Sequence, residues 1–474
     1  MPDRTQTHTG TTTSEPSMMR PEHVAEVLAL TLVDHRDPAL VGACEILAPG
    51  ARLVLGREAR EAFPGVLEHA KVSRRHATLT VDGERVLIRD EDSHNGTFVN
   101  ERRIAGAQAL EPGDVVRIGD ALLLFHRRAA AAPRARHATI VGVGTALGRV
   151  LREVGQVARH ATTVAIVGET GTGKEVIARE LHRLSGRPGP LVAINCGGMS
   201  ETLIASELFG HVRGAFTGAD RRRSGLIESA RGGTLFLDEI MDASPGLQAT
   251  LLRLFETGEY RAVGSDTTDK ADVRFVVAAQ PEIEERIADR RFRLDLWTRM
   301  ARWVVRIPPL RARREDIVAL ASHFAAHYAG GPVRLAPELA VALVRHDWPG
   351  NVRELQALVE RLVIAQRRDG DHEVRELGLD AGVLSQLRAP TTGTPTATRA
   401  NEAPPARPEA EDAAPPSSKA RRLGRDELRA AIARHGGNMR ATAQTLGIGR
   451  KTLYRWVEAE GLALDELRDA GEDG

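Results

Sequence analysis

An apolar run, Thr163-Val-Ala-Ile-Val167, leads directly into Gly168-Glu-Thr-Gly-Thr-Gly-Lys174-Glu175, and a helical stretch, Val176-Ile-Ala-Arg-Glu-Leu181, follows. Strand, glycine-rich loop and helix in that order are the setting of a phosphate loop. Glycines let backbone N–H groups turn inward, the helix N-terminus adds positive potential, and Lys174 reaches the terminal phosphates. Gly168, Glu169, Thr170, Gly171, Thr172, Gly173, Lys174 and Glu175 are therefore the candidate nucleotide-binding residues. Glu175 departs from the general pattern, which has Ser or Thr there for magnesium. A second element fits the first. Thr234-Leu-Phe-Leu-Asp238-Glu239 is an apolar strand ending in two acids, with Asp238 placed to hold Mg2+ and Glu239 to polarise an attacking water. From about 139 to 366, strand-like runs alternate with helical stretches, which predicts βαβ units and a parallel sheet. The stretch Glu315 to Gln366 reads as all-helical.

The flanks differ in texture. The chain has 474 residues, room for about three domains. Residues 1–23 are polar and Thr-rich, with Thr5, Thr7, Thr9, Thr11, Thr12 and Thr13, and are expected to be disordered. Between Val24 and Phe125 short apolar runs (from Arg52, Ala77, Arg85, Asp114 and Ala121) are punctuated by Asp82-Gly83, Asn95-Gly96 and Pro112-Gly113, the pattern of a β-sandwich or barrel. Residues 128–138 read as a connector, and 389–420, rich in Pro, Thr, Ala and Ser, as a flexible linker. Residues 421–474 turn helical again, with breaks at Gly436-Gly437 and Gly447. Two cysteines, Cys44 and Cys196, exclude a disulfide framework and a cysteine-based zinc module. No run reaches the roughly 18 apolar residues of a membrane span, and the N-terminus has no apolar signal core, so a cytoplasmic protein without a membrane partner is expected.

Motifs in the central region carry a resemblance. The phosphate loop with its terminal Glu175 resembles that of the sigma-54-dependent, enhancer-binding transcriptional activators of the AAA+ class. Glu207-Leu-Phe-Gly-His-Val-Arg-Gly214-Ala-Phe-Thr-Gly-Ala219 contains that family's signature hexapeptide complete: Gly214, Ala215, Phe216, Thr217, Gly218 and Ala219. The resemblance covers about 139–366. It implies an α/β ATPase subdomain at 139–306, a helical lid at 307–388, ATP with Mg2+ as cofactor, and a contact between the hexapeptide and sigma-54 RNA polymerase. A small-residue loop tipped by Phe216 and Thr217 is read as flexible and exposed, as suits a moving contact. The resemblance further makes Asn195 the switch that hydrogen-bonds the catalytic Glu239. It makes Arg293 and Arg299 the arginines acting across a subunit boundary, where such a group is worth about 10³–10⁵ in rate. Arg353, in Trp348-Pro-Gly-Asn-Val-Arg353, becomes a sensor near the γ-phosphate, and a homo-oligomer running from dimer to hexamer is implied. At the first sensor the chain has Gln280 where Asn is usual; the longer amide could still orient water or could slow turnover, and both readings stay open.

In the N-terminal region Gly56-Arg57, Ser73-Arg74-Arg75-His76 and Asn95-Gly-Thr-Phe-Val-Asn100 have the spacing of a forkhead-associated (FHA) domain, over 24–127. Phosphothreonine recognition needs a guanidinium, a hydroxyl and an amide on loops at one end of a rigid sandwich. Arg57 and Ser73, with Arg74 beside them, would bind phosphate and Asn95 the ligand backbone, while His76 buttresses the loop. The implied partner is a phosphothreonine protein or a Ser/Thr kinase. At the other end, Gly437-Asn438 through Gly447 to Tyr454-Arg455-Trp456 resembles the Fis-type helix-turn-helix. Arg450, Lys451, Thr452, Tyr454 and Arg455 lie on its recognition helix, facing upstream enhancer DNA. The whole chain carries +1, but Arg421–Leu462 holds nine basic and four acidic residues, a local +5. His323 and His327 are four apart but lack a metalloprotease glutamate, and read as partly exposed helix residues. The competing reading is a phosphothreonine-reading, DNA-bound adaptor whose ATPase is weak or degenerate, with Gln280 as its supporting feature.

Overall fold

The structure is a computed structural model and describes residues 26–60, 62–130, 137, 139–367 and 376–378, with isolated positions at 428, 430–432, 442 and 445. The chain divides into two compact units, Met1–Thr396 and Ala397–Gly474. All named elements lie in the first. No described helix is long and apolar enough to cross a membrane.

The N-terminal region is an antiparallel sandwich. One sheet has six strands in the order β2 (Cys44–Ile46), β1 (Glu26–Asp34), β10 (Ala121–Ala129), β9 (Val115–Ile118), β6 (Thr97–Val99) and β7 (Arg102–Arg103). The other has β3 (Arg52–Leu55), β4 (Ala77–Asp82), β5 (Arg85–Asp90) and β8 (Ala107–Leu110). Inward residues of both sheets, among them Leu30, Leu32, Leu55, Leu79, Ile88, Leu123 and Phe125, form one core. β4 and β5 pair from Ala77↔Asp90 to Asp82↔Arg85, so the connection is Gly83-Glu84, and Gly83 takes the positive φ that a two-residue hairpin requires. β10 continues to Ala129, past the boundary expected at 127, because it stays paired with β1 as far as Glu26.

The central region is a parallel sheet in the order β12 (Leu191–Asn195), β15 (Thr234–Asp238), β18 (Arg274–Ala279), β11 (Val164–Val167) and β19 (Trp303–Arg306). Its helices are α1 (Thr145–Val157), α2 (Lys174–Ser185), α3 (Glu201–Phe209), α4 (Leu226–Ser229), α5 (Pro245–Thr257), α6 (Ile283–Ala288) and α7 (Leu294–Met300). The strands read as nearly unbroken apolar runs because both faces are covered, one around Ile177, Leu181 and Phe236, the other around Leu208, Leu251 and Leu296. Two short ladders, β13 (Gly210–His211) with β14 (Arg223–Ser224) and β16 (Glu259–Tyr260) with β17 (Asp269–Lys270), project from it.

The lid comprises α8 (Ile317–Ala329), α9 (Pro337–Arg345) and α10 (Asn351–Arg367). It is not purely helical as expected: β20 (Arg334–Leu335) pairs in parallel with β21 (Glu376–Leu377). Leu335 and Leu377 are buried in the lid core, so the apolar docking of these two residues decides the local geometry rather than helix propensity.

One buried charge fastens α1 to the sheet. Arg274, at the start of β18, donates through both terminal nitrogens to the carbonyls of Val157 (2.9 Å) and Ala158. These are orphan acceptors at the end of α1, and a cation suits the negative end of the helix dipole. Arg274→Met should lower the stability of the central domain by about 1.5–3 kcal/mol, the usual loss for a charge-assisted hydrogen bond. Chemical denaturation followed by the signal of that domain measures it; an unchanged midpoint would contradict this account.

Candidate functional site

The sheet order places the candidate site. Ligands of open α/β sheets bind beyond the carboxyl ends of the strands, and the predicted residues leave the sheet there. β11 runs into the glycine-rich loop, with the Gly168 amide donating to the Ala279 carbonyl at the end of β18. Asn195 and Asp238 are register partners at the ends of β12 and β15. Gln280 follows β18, and its amide donates to the Met241 sulfur. Gly171 and Gly173 take φ of +77° and +100°, conformations open chiefly to glycine. They turn the chain so that α2 starts at Lys174 with its first amides facing the loop.

Lys174 is half-buried, and its ammonium donates to the carbonyls of Gly168 (2.7 Å) and Glu169 (3.2 Å). Burial lowers its pKa, while the nearby Asp238 and Glu239 charges raise it. Asp238 is pushed up by burial and pulled back by the Glu239 amide (2.9 Å) and the Lys174 charge. One cation and two acids therefore share a partly dehydrated cleft. Among the described residues no group of three or more His, Cys, Asp or Glu could hold a metal alone. One or two carboxylates supplemented by phosphate oxygens suit Mg2+, and Asp238 offers such a donor. Glu175 faces solvent and pairs with Arg179 at 2.5 Å, one turn on.

The Asn195 Oδ1 accepts from the Gly197 amide at 2.6 Å, and no hydrogen bond joins Asn195 to Glu239 among the described residues. A Cβ on Gly197 would stand 2.5 Å from the Glu239 carboxylate and 3.1 Å from Asn195 Oδ1. Gly197 thus lies between the two, and its own amide satisfies the Asn195 oxygen. The hexapeptide, read as flexible and exposed, is folded back on itself with Phe216 half-buried. The Gly214 amide donates to the Ala219 carbonyl (2.8 Å) and the Ala219 amide to the Phe216 carbonyl (3.0 Å). Phe216 is half-buried with its ring against His211, 5.0 Å between centroids, and Ser206 and His211 are hydrogen-bonded at 2.8 Å. Ring packing draws the aromatic in, while Thr217 and Gly218 remain exposed.

The lid closes over the phosphate loop through residues that sequence reasoning missed. Arg311 makes a bidentate pair with Glu169 (2.5 and 2.9 Å), which holds that carboxyl below its ordinary range. The fully buried Asn351 sits at φ +55°, donates to Glu169 Oε2 (3.1 Å) and the Thr170 carbonyl (3.0 Å), and accepts from the Leu310 amide. Arg313 donates to the Thr172 carbonyl at 2.9 Å. Arg353, which was predicted, starts α10 beside the loop, and its Cβ would lie 3.1 Å from a Cβ on Gly171. Arg311 and Arg313 are signalled in the sequence only by a basic cluster before an apolar helix; nothing local points to the loop.

The remaining candidates are on the surface. Arg293 is engaged bidentately by Asp295 (2.7 and 3.0 Å), and Arg299 pairs with Glu256 at 3.4 Å. Cys196 is buried beside Asp238, and burial with the neighbouring acids pushes its thiol up to about 12, as an inert packing residue requires. His323 and His327 are exposed.

At one end of the sandwich, three loops meet. The Arg57 amide donates to the Ser73 carbonyl (3.1 Å), and Gly56 leaves no room for a side chain against the Arg74 carbonyl. Ser73 Oγ accepts from the His94 amide (3.1 Å), and Asn95 donates to the Lys71 carbonyl (2.8 Å). Buried His76 accepts from the Ser73 amide at Nδ1 and meets the Gly96 carbonyl at Nε2 (3.1 Å), buttressing two of these loops as expected. Arg57 and Arg74 remain exposed, Arg74 pairing with Glu58 at 3.2 Å. The DNA-reading candidates Arg450, Lys451, Thr452, Tyr454 and Arg455, the Thr-rich tail and the 389–420 linker lie outside the described residues.

Comparisons with known proteins match the domains that carry these residues. Family models match for a sigma-54 interaction domain (residues 140–306), an FHA domain (53–119), an AAA+ ATPase lid domain (311–384) and a bacterial regulatory protein of the Fis family (420–456). The transcriptional regulatory protein ZraR of Klebsiella oxytoca is 41% identical over 319 residues, 66% of this chain and 67% of that protein. The Nif-specific regulatory protein of Herbaspirillum seropedicae is 45% identical over 235 residues, 48% of this chain and 43% of that protein. Among solved structures, NtrX from Brucella abortus in complex with ADP aligns over 69% of this chain and 70% of its own, at 29% identity and a TM-score of 0.47. The FHA domain of CT664 from Chlamydia trachomatis aligns over 21% of this chain and 96% of its own, at 30% identity and a TM-score of 0.19. With its FHA sandwich, its sigma-54 AAA+ core and lid, and its Fis-type helix-turn-helix, the chain belongs to the sigma-54-dependent transcriptional regulators.

Proposed function

We propose that this activator hydrolyses ATP in a ring of its own copies, remodels the sigma-54 RNA polymerase closed complex at promoters reached through upstream DNA, and is regulated by phosphothreonine recognition. The observation that carries the reading is the convergence of Lys174, Asp238, Glu239 and Arg353 where β11, β15 and the start of α10 meet.

In this reading the backbone amides of the loop and Lys174 bind the β- and γ-phosphates, and Asp238 holds Mg2+. The metal, when bound, neutralises charge on the phosphate oxygens. Glu239 accepts a proton from water as its oxygen attacks the γ-phosphorus, and the bond to the ADP oxygen breaks. Arg293 and Arg299 act in trans: each exchanges its intrachain partner, Asp295 or Glu256, for the phosphate of a neighbouring copy. Arg353 and Asn195 report the nucleotide state. Gly197 would then have to shift before Asn195 could bond Glu239. The Gly214–Ala219 loop leaves His211 and presents Phe216 and Thr217 to sigma-54. In this reading the domains are 24 to the end of β10 at Ala129, 139–306, 307–388 and 421–474, with Arg450, Lys451, Thr452, Tyr454 and Arg455 reading DNA.

Glu239→Gln in the full chain should keep ATP binding and lower turnover by about 10²–10⁴-fold, the usual worth of a positioned base. A wild-type rate in that variant refutes the catalytic assignment, and no turnover in the unaltered chain favours the adaptor reading built on Gln280. Phe216→Ala should retain turnover yet abolish sigma-54-dependent transcripts in a reconstituted assay; intact transcription would refute the loop's role. Ser73→Ala and Arg57→Ala should each weaken binding of a phosphothreonine peptide about tenfold or more, from loss of a charge-assisted hydrogen bond. Titration calorimetry against the phosphorylated and unphosphorylated peptide tests this, and equal affinity for the two peptides ends the phosphothreonine reading.

A further inference from the structure

Between α5 and the β16–β17 ladder lies an open cavity of about 350 Å3. Thr250 and Arg253 line it from α5, Tyr260 from β16 with the adjoining Arg261, and Thr268 from the residue before β17. Burial and the Asp269 charge raise the Tyr260 phenol above its ordinary pKa, so it stays protonated and can donate. Glu259 is the acid of the lining, and it is the register partner of Lys270 across the ladder. Neither Arg253 nor Arg261 forms an ion pair among the described residues. A polar cavity with unpaired guanidiniums and hydroxyl donors suits an anion with several oxygens, and a phosphoryl group is such an anion.

One hydroxyl of the chain already meets this receptor: Arg261 Nε donates to Thr268 Oγ1 at 2.9 Å. The neighbouring hydroxyls are engaged elsewhere. Ser265 Oγ and Thr267 Oγ1 are 2.7 Å apart, and Ser265 Oγ also accepts from the Thr267 amide at 3.2 Å. Thr250 Oγ1 donates to the Gly246 carbonyl at 3.1 Å. Arg261 and residues 266–270 are exposed, so a second enzyme can reach Thr268. The same loop supports the Gly214–Ala219 hexapeptide. The Val263 amide donates to the Gly210 carbonyl (2.8 Å) and the Val212 amide to the Val263 carbonyl (3.1 Å). A Cβ on Gly264 would stand 2.8 Å from the Ala215 Cβ.

We infer that Thr268 is a phosphorylation site and that Arg253 and Arg261 hold its phosphate in this cavity, stiffening the 261–268 loop beneath the hexapeptide. The phosphoryl donor is ATP in the site of a Ser/Thr protein kinase. Thr268 Oγ1 attacks the γ-phosphorus and its proton passes to a base of the kinase; the Oγ1–P bond forms as the bond to the ADP oxygen breaks. The ester brings about −1.5 to −2 of charge and three acceptor oxygens to guanidiniums that have no acid of their own, and a phosphate so placed orders the loop that carries it. The effect on polymerase rests on the proposed sigma-54 contact, since a stiffer support delays the release of Phe216. The modification and its receptor do not depend on that contact.

The test uses the full chain isolated from its own growing cells. Trypsin cuts after Arg261 and Lys270 release the loop as one peptide, and fragment ions place any phosphate on it. Phosphate on Thr268 is expected; an unmodified peptide, or phosphate confined to Ser265 or Thr267, overturns the site. Hydrogen exchange is then compared between the phosphorylated and the phosphatase-treated chain. Amides of Val263–Ser265 and of the hexapeptide should exchange about tenfold more slowly with phosphate present, the worth of one charge-assisted hydrogen bond. Arg253→Ala should remove that difference, and Arg253→Gln repeats the measurement should the alanine variant fail to fold. Equal exchange in the two forms, or a difference that persists without Arg253, overturns the receptor. Sigma-54-dependent transcription is read on the same samples: slower exchange with unchanged transcript yield refutes the link to the sigma-54 contact and leaves the modified residue and its receptor standing.

Discussion

The Gly171 carbonyl accepts hydrogen bonds from the Val352 (3.0 Å) and Arg353 (3.4 Å) amides, and the nucleotide site is organised around that contact. It joins the crest of the phosphate loop to the first turn of α10, where helix amides have no partners of their own. Gly171 adopts φ +77° to present the carbonyl, and a side chain there would strike the Gly350 carbonyl. Asn351 and Arg311 fasten the same corner from either side. These hydrogen bonds fix the position of the lid over the loop.

Buried charge recurs at the joints between elements, and each instance answers an orphaned backbone group. Arg274 satisfies the carbonyls that end α1, and Asp316 satisfies the Val143 and Gly144 amides that lead into it. Arg313 is held by Asp316 and Glu315 and spends its donor on Thr172. An ion in such a place is costly without partners and specific with them. These residues fix where α1, the lid and the phosphate loop stand relative to one another, and a purely apolar joint would tolerate sliding.

Much of the site was legible from spacing. The glycine-rich loop after an apolar run, the acid pair ending β15 and the three FHA loops are local patterns, because each is made by residues adjacent in the chain. Two details of the structure have the opposite origin. Asn195 bonds Gly197 because a nearer amide competes for its oxygen, and Phe216 is drawn against His211 because an aromatic ring gains from packing. The β20–β21 pair was missed because each strand is two residues long and its partner lies some forty positions away.

By itself the sequence determined the three kinds of domain, the parallel sheet and which residues stand at the strand ends, since strand and helix periods and loop glycines act over a few residues. Tertiary structure alone decided which residues clamp the loop and what covers the second face of the sandwich. Arg311 and Glu169 are 142 positions apart, Arg313 and Thr172 are 141, and Asn351 and Glu169 are 182. No local period records such distances. Even so, the nearly continuous apolar runs in β1 and β10, broken in β1 by Thr31, carried a trace of the covered second face, for a strand apolar on both sides must be covered on both.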